Sequence, residues 1–251
     1  CSAVFLSSCK FESPCGSEIE LLTFGNKGKF FFCFVFGFFR ISQSSSYISM
    51  LDEPNVIMKK IKAIDLFSGC GGMSLGFKMA GVHSILASDI DENCEKTFTR
   101  NFPDTPFLRK DITLIEKADI DLIIGEDVPD IIIGGPPCQG FSLANKNRCK
   151  IEDDPRNKLF YHFVKIIDWY SPKAFVMENV KGLLSMQNGK VIQTIIDEFT
   201  SAGDGYNVAY KVLKASDYGV PQTRERVIII GIRKDLEKIP NFPKVPVCLP
   251  L

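Results

Sequence analysis

A cysteine and a glutamate follow two predicted strands, and both side chains could take part in catalysis. Cys138 comes shortly after the apolar run 131–133, inside the rigid turn Gly-Gly-Pro-Pro-Cys-Gln, and Glu178 follows the apolar run 174–177 directly. A thiol in a polar turn can become a nucleophilic thiolate when cations or backbone dipoles lower its pKa. A carboxyl group at the end of a buried strand can have a raised pKa and donate a proton near neutral pH. The two residues are therefore candidates for a nucleophile and a proton donor.

A glycine-rich turn after the first predicted strand could hold a ligand. The segment 61–67 runs into Ser-Gly-Cys-Gly-Gly, whose glycines let the backbone turn tightly and approach a bound molecule. Asp89 ends the second predicted strand, where α/β folds bind ribose hydroxyls. Asp111 follows one step later and could accept a hydrogen bond from an adenine amino group. Because the turn is not G-x-G-x-x-G, a nucleoside is favoured over a dinucleotide.

From residue 60 onward the chain predicts an α/β fold with a doubly wound, mostly parallel sheet. Short apolar runs rich in β-branched residues alternate with segments of helical periodicity, which is typical of βαβ units. The predicted strands are 61–67, 83–89, 130–134, 174–178, 208–213 and 227–232, and the predicted helices are 73–80, 91–101, 157–170 and 189–202. Asp91 is predicted to cap the second helix. Trp169, His83 and His162 are interpreted as core residues.

Residues 1–57 differ in composition from the rest of the chain. They contain ten of the 21 phenylalanines and a run of three serines, and they show no helical or strand periodicity. Because Met58 opens the regular part, we expect 1–57 to be a non-native or disordered extension and 58–251 to be the catalytic domain. The longest apolar run, 30–39, is half of the roughly 20 residues that a membrane-spanning helix needs.

The charge balance excludes binding of nucleic acid by bulk charge, and the cysteine pattern argues against a metal site. Thirty basic residues balance thirty acidic ones, so binding to nucleic acid would require a local basic face rather than bulk charge. The nine cysteines contain no C-x-x-C pair, and only two histidines are present. This pattern predicts no metal site, and it predicts free thiols in a reducing compartment.

Four ordered motifs resemble those of the cytosine carbon-5 DNA methyltransferases. They are DLFSGCGGMSLGF, GGPPCQGFS, ENV and QTRER, and the resemblance covers about residues 61–235. It implies a Rossmann-like fold that uses S-adenosylmethionine and acts on double-stranded DNA. It also implies a bacterial restriction-modification enzyme in the cytoplasm, associated with the nucleoid.

The resemblance implies a role for each matching residue. Cys138 is the implied nucleophile, Glu178 contacts nitrogen 3 of a flipped cytosine, Asn179 supports that loop, and Arg224 and Arg226 line the base pocket. The residues implied to surround S-adenosylmethionine are Phe67, Gly69, Gly72, Asp89, Ile90, Asp111, Ile112 and Pro137. The residues implied to contact DNA are Gln139, Ser142, Lys146, Arg148, Lys150 and Gln222.

The family pattern continues beyond the match, and three alternatives stay open. In the family a target-recognition region follows, and then a segment that completes the cofactor site. We therefore expect a truncated gene or fragment, which is favoured, or a second chain that supplies the remainder.

The alternative functions are an inactive cofactor-binding remnant, a tRNA cytosine methyltransferase, and a flavin or nicotinamide oxidoreductase. The last leaves Cys138 and Glu178 unexplained.

Overall fold

The computed structural model describes residues 9–12, 18–21, 60–137 and 159–245. The strands of its larger sheet are β1 (Ile61–Leu66), β2 (Val82–Asp89), β3 (Phe107–Arg109), β4 (Ile131–Gly134), β5 (Ala174–Val180), β6 (Tyr206–Lys214) and β7 (Glu225–Arg233). The helices are α1 (Gly72–Met79), α2 (Glu92–Asn101), α3 (Lys117–Ile124), α4 (Leu159–Tyr170) and α5 (Lys190–Ser201).

The seven strands form one sheet in the order β3-β2-β1-β4-β5-β7-β6. All neighbours pair in parallel except β7, which runs antiparallel to both β5 and β6. The direction of the strand order reverses between β1 and β4. Open α/β sheets bind their ligands at such a switch point, outside the carboxyl ends of the strands.

Apolar side chains on both faces of the sheet hold the helices against it. One cluster of buried residues joins β1, β5 and β7 to helices α3, α4 and α5, and α1 packs on the other face through Phe77. Strand β4 is buried along its whole length, as expected for a central strand of a parallel sheet. The fold is thus a layered α/β sandwich with helices on both faces.

A glycine makes room for the Phe175 ring, which contacts two other aromatic rings of the core. The Phe175 ring lies 4.2 Å from the Phe199 ring and 5.2 Å from the Tyr206 ring, measured between centroids. Gly231 pairs with Phe175 across β5 and β7, and a Cβ on Gly231 would lie 2.0 Å from the Phe175 ring. No side chain fits there, so the ring or the strand would have to move.

We expect Gly231→Ala to destabilise the chain by about 3 kcal/mol, because the added methyl group overpacks this core. Urea unfolding followed by circular dichroism measures the change as a lower midpoint at constant slope. Gly182→Ala is the matched control, since nothing described lies within 4 Å of the added methyl group. Equal midpoints for the two variants would contradict the prediction.

Most of the predicted elements are confirmed, and in the part from residue 60 onward one strand and one α-helix were missed. The six predicted strands and four predicted helices are present with shifts of one or two residues at their ends; residues 157–158 of the fourth helix lie outside the described residues. Asp91 caps α2 by accepting hydrogen bonds from the backbone N–H groups of Asn93 and Cys94. Strand β3 has three residues, too few for periodicity, and α3 was overlooked. In α3 the Asp119 side chain accepts from the Glu116 N–H at 2.8 Å, which is a helix-start signal.

The interpretation of three residues as core is only partly correct. Trp169 packs against the main apolar cluster, and His162 is half-buried. His83 is exposed, so its interpretation as a core residue was wrong. It lies near the start of β2 between buried Val82 and Ser84, where alternation turns its side chain outward.

In the N-terminal region, Cys9–Glu12 and Glu18–Leu21 pair antiparallel, although no regular strand was expected there. The assignment of 1–57 to an extension stays a prediction.

Within the described ranges, no helix has the length and apolar character needed to cross a membrane. The same residues contain no cluster of three potential metal ligands.

Candidate active site

The predicted site residues of the described part gather at one edge of the sheet. The parallel strands β1, β2, β4 and β5 all end at this edge, and each has predicted site residues at or directly after its end. Because β7 is antiparallel to β5, its first residues lie at the same edge. Val180 at the end of β5 pairs with Arg226 at the start of β7.

The glycine-rich turn after β1 is tight and is tied to β2. Phe67, Gly69 and Gly71 have positive φ angles of 56°, 55° and 89°. The Gly69 N–H donates to Oδ2 of Asp89 at 2.9 Å, and a Cβ on Gly71 would lie 2.3 Å from the Phe102 ring. Positive φ angles are unfavourable for most residues, so the backbone of this turn favours glycine. At Gly71 the contact with Phe102 also leaves no room for a side chain.

Two acids at this edge of the sheet accept hydrogen bonds from backbone groups and can accept more. Oδ1 of Asp89 accepts from the Asp91 N–H at 3.1 Å, so each oxygen of Asp89 has one protein donor and one remaining lone pair. Asp111 uses Oδ1 to accept from the N–H and hydroxyl groups of Thr113 at 2.9 and 2.8 Å. Both carboxylates can therefore accept further hydrogen bonds from a ligand.

The two isoleucines among the predicted cofactor contacts lie in different surroundings. Ile90 follows Asp89 and is 62% exposed, which is unusual for so large an apolar side chain and leaves it available to a ligand. Ile112 is buried and belongs to the main core cluster. The structure therefore brings Ile90 to the edge and places Ile112 mainly in the core.

Asp65 is a buried acid that was part of a motif but had not been singled out. It is 1% exposed near the end of β1, and its Oδ2 accepts from the Ser74 hydroxyl at 2.6 Å. Its Oδ1 is buried without a hydrogen-bond partner. Burial raises the pKa of Asp65 to about 7, and Asp89 adds to this effect by charge repulsion. An acid inside an apolar strand was the signal available in the sequence.

We expect Asp65→Asn to change the pH dependence of stability. The folded chain keeps the Asp65 proton up to about pH 7, whereas an unfolded aspartate loses it near pH 3.8. Stability is therefore full below that value and falls as pH rises to about 7, by on the order of 4 kcal/mol. Asparagine removes this loss, so its melting temperature relative to wild type should rise between pH 4 and pH 8. A difference that is independent of pH would contradict the prediction.

Glu178 is mostly buried, pairs with Arg226 and feels the charge of Arg224. Nε of Arg226 is 2.6 Å from Oε1 of Glu178, as a close ion pair rather than a well-aligned hydrogen bond. Burial raises the pKa of Glu178, and the charges of Arg226 and Arg224 oppose that rise. Burial also lowers the pKa of Arg224. The carboxyl group thus holds its proton to higher pH than an ordinary glutamate while staying next to a cation.

Asn179 connects the end of β5 to the turn after β4. It is 3% exposed, and its Nδ2 donates to the Pro136 carbonyl oxygen at 3.2 Å. Its Oδ1 accepts from the Val180 N–H at 2.8 Å. Pro137 follows as an exposed residue, immediately before Cys138 in the chain. Asn179 therefore holds the turn that leads into Cys138 against the strand that carries Glu178.

Comparison with known proteins shows the family to which the chain belongs. The family model of the C-5 cytosine-specific DNA methylase matches residues 61–246. The chain belongs to this family of C-5 cytosine methylases. Its fold is Rossmann-like, which confirms the prediction of a doubly wound, mostly parallel sheet.

Individual relatives agree with the family. The Type II methyltransferase M1.HphI of Haemophilus parahaemolyticus is 46% identical over 181 residues, which are 72% of this chain and 48% of that protein. The Type II methyltransferase M.AquIA of Picosynechococcus is 44% identical over 192 residues, 73% of this chain and 75% of that protein. A protein encoded within an E. coli prophage, described as a DNA modification methyltransferase, has a TM-score of 0.61 at 36% identity, covering 70% of this chain and 48% of that one. The chain thus spans about half the length of M1.HphI.

Several predicted site residues of this C-5 methylase chain lie outside the described residues. They are Cys138, Gln139, Ser142, Lys146, Arg148 and Lys150. Gln222 is described and half-buried, and its N–H donates to the Val220 carbonyl oxygen at 2.7 Å. Gly72 is the first residue of α1, directly after the glycine-rich turn. The assignment of DNA contacts and of the nucleophile stays a prediction.

Proposed function

We propose that this chain is the catalytic part of a bacterial DNA (cytosine-5-)-methyltransferase of a restriction-modification system, active on nucleoid DNA in the cytoplasm. In this proposal Cys138 forms a temporary covalent bond with a cytosine that has been flipped out of the duplex. The observation that carries it is the mostly buried Glu178, which pairs with Arg226 on a strand that Asn179 ties to the turn leading into Cys138.

The residues of this edge fit the chemistry of cytosine methylation. Carbon 5 of cytosine is a weak nucleophile on its own. Addition of the Cys138 thiolate to carbon 6 breaks the 5,6 double bond, and nitrogen 3 takes the proton of Glu178. Carbon 5 of the resulting enamine can then take a methyl group. Loss of the carbon 5 proton restores the double bond and expels the Cys138 sulfur.

The glycine-rich turn and its acids fit S-adenosylmethionine. This cofactor supplies a methyl group on a positively charged sulfur. Asp89 and Asp111 have lone pairs left for ribose hydroxyl and adenine amino groups, and Ile90 is exposed beside them. Oδ1 of buried Asp65, near the same turn, has no hydrogen-bond partner. A cationic nucleoside is the kind of ligand that these groups favour.

The opposite half of the edge carries the cations that DNA requires. Arg224 precedes β7, Arg226 is the second residue of β7, and exposed Lys214 ends the neighbouring strand β6. Exposed Lys181 follows β5 and pairs with Glu225 at 2.8 Å. A neutral chain needs such a local basic face to hold a polyanion, and the cytosine would enter on this side.

The decisive experiment uses S-adenosylmethionine with a labelled methyl group. The chain is incubated with duplex DNA or tRNA, alone and together with a polypeptide that supplies a target-recognition region. We expect labelled 5-methylcytosine in DNA and none in tRNA. Label in tRNA alone would establish the tRNA alternative. Label in neither, with cofactor binding retained in equilibrium dialysis, would establish an inactive remnant.

A further inference from the structure

Gly135, the first residue after β4, lies directly against the Glu178 carboxyl group. A Cβ built on Gly135 would lie 3.3 Å from Oε2 of Glu178 and 3.8 Å from its carbonyl oxygen. Apart from the chain neighbours of Gly135, no other atom of the described residues lies within 4 Å of that position. The nearer contact is tight enough to force Oε2 to move by a few tenths of an ångström.

Backbone conformation does not require glycine at this position. Gly135 does not have a positive φ angle. It precedes Pro136, and a residue before proline is held in the extended region that alanine adopts readily. What glycine contributes here is therefore space for its neighbour rather than an unusual conformation.

The turn cannot easily move away from Glu178 to make that space. Asn179 donates to the carbonyl oxygen of Pro136 at 3.2 Å, and both residues are buried. Breaking a buried hydrogen bond is unfavourable, because it leaves a polar group unsatisfied away from water. A methyl group on Gly135 would therefore be relieved by displacement of the Glu178 carboxyl group, not of the turn.

The two carboxyl oxygens of Glu178 have different neighbours. Arg226 lies on the Oε1 side at 2.6 Å, and Gly135 lies on the Oε2 side. A cation beside Oε1 favours negative charge on that oxygen, so a proton on Glu178 is favoured on Oε2. Oε2 is thus the oxygen from which a proton can be given to a base.

We propose that Gly135 is a positioning residue, whose missing side chain leaves the space in which Oε2 of Glu178 presents its proton to nitrogen 3 of the flipped cytosine. As Cys138 adds to carbon 6, that proton moves from Oε2 to nitrogen 3, and Glu178 remains as a carboxylate paired with Arg226. This inference rests on the proposed methyltransferase function.

The test compares Gly135→Ala with Gly182→Ala in the enzyme that includes its target-recognition region. Gly182 follows β5 closely, and its added methyl group meets no described atom within 4 Å. We expect Gly135→Ala to lower kcat about tenfold, because small misplacements of reacting groups are costly, with KM for DNA within twofold of wild type. Its methyl group also shields Oε2 from water, which favours the neutral carboxyl group. The alkaline limb of the kcat profile should therefore shift to higher pH.

Two further measurements separate positioning from a merely structural role. In the Glu178→Gln background, Gly135→Ala should cause no further loss of kcat. In carbon-13 spectra of glutamate-labelled chain, the Glu178 carboxyl signal of Gly135→Ala should titrate at higher pH than in wild type.

Each other outcome overturns the inference. A kcat profile of Gly135→Ala equal to that of Gly182→Ala would do so, as would an additive loss with Glu178→Gln. A Gly135→Ala chain that fails to fold would show that the methyl group meets something other than Glu178. A wild-type enzyme with no activity on cytosine in DNA would instead refute the proposed function, while the carbon-13 titration would still test the contact.

Discussion

Cys138→Ser is expected to lower cytosine methylation by at least about three orders of magnitude. A free cysteine thiol has a pKa of about 8.5 and is partly ionised at neutral pH, whereas a serine hydroxyl is not. Without the thiolate, carbon 6 has no nucleophile and carbon 5 stays unreactive. The measurement is the transfer of a labelled methyl group to duplex DNA, in the enzyme that includes its target-recognition region.

The covalent bond itself can be trapped. Fluorine at carbon 5 blocks the last step, since it cannot leave as a proton does. Wild type should therefore form a complex with 5-fluorocytosine duplex that survives boiling in detergent, and Cys138→Ser should form none. Cys94→Ser in α2 is the matched control and should behave as wild type. A trapped complex in Cys138→Ser would assign the nucleophile to another residue.

Glu178→Gln is expected to lower the rate of methyl transfer by two to three orders of magnitude. Glutamine has the same shape and can still donate a hydrogen bond, but it cannot transfer a proton, a step that contributes about 10²–10⁴ in enzymes. Because burial raises the pKa of Glu178, wild-type activity should fall as pH rises through that pKa. The variant should lack this alkaline fall. Single-turnover rates across pH give both results.

Glu225→Gln controls for charge at the same edge. Glu225 lies beside Arg226 in β7 and pairs with exposed Lys181. Exposed ion pairs contribute about 0–1 kcal/mol, so the rate should change less than threefold. If Glu225→Gln lost as much activity as Glu178→Gln, net charge rather than proton donation would explain the effect.

Strand existence and motif placement were readable from the sequence because both depend on local patterns. Runs such as Ile131–Gly134 are apolar and β-branched, and they are bounded by turn residues that end a strand wherever it is packed. The glycine-rich turn and the Asp91 cap are decided by neighbouring residues alone. The same locality explains why β3 was missed, since three residues carry no periodicity.

What the amino-acid order alone determined is the family, the strand ends and the residue types that reach the edge. The tertiary structure decided how those residues meet. Periodicity does not reveal strand direction, and only the antiparallel course of β7 brings Arg226 to Oε1 of Glu178. The burial of Asp65 likewise arises from elements distant in the chain. So does the close approach of Gly135 to Glu178, where a Cβ on Gly135 would lie 3.3 Å from Oε2. Burial and contact between such elements depend on how the whole sheet packs, and no local pattern encodes them.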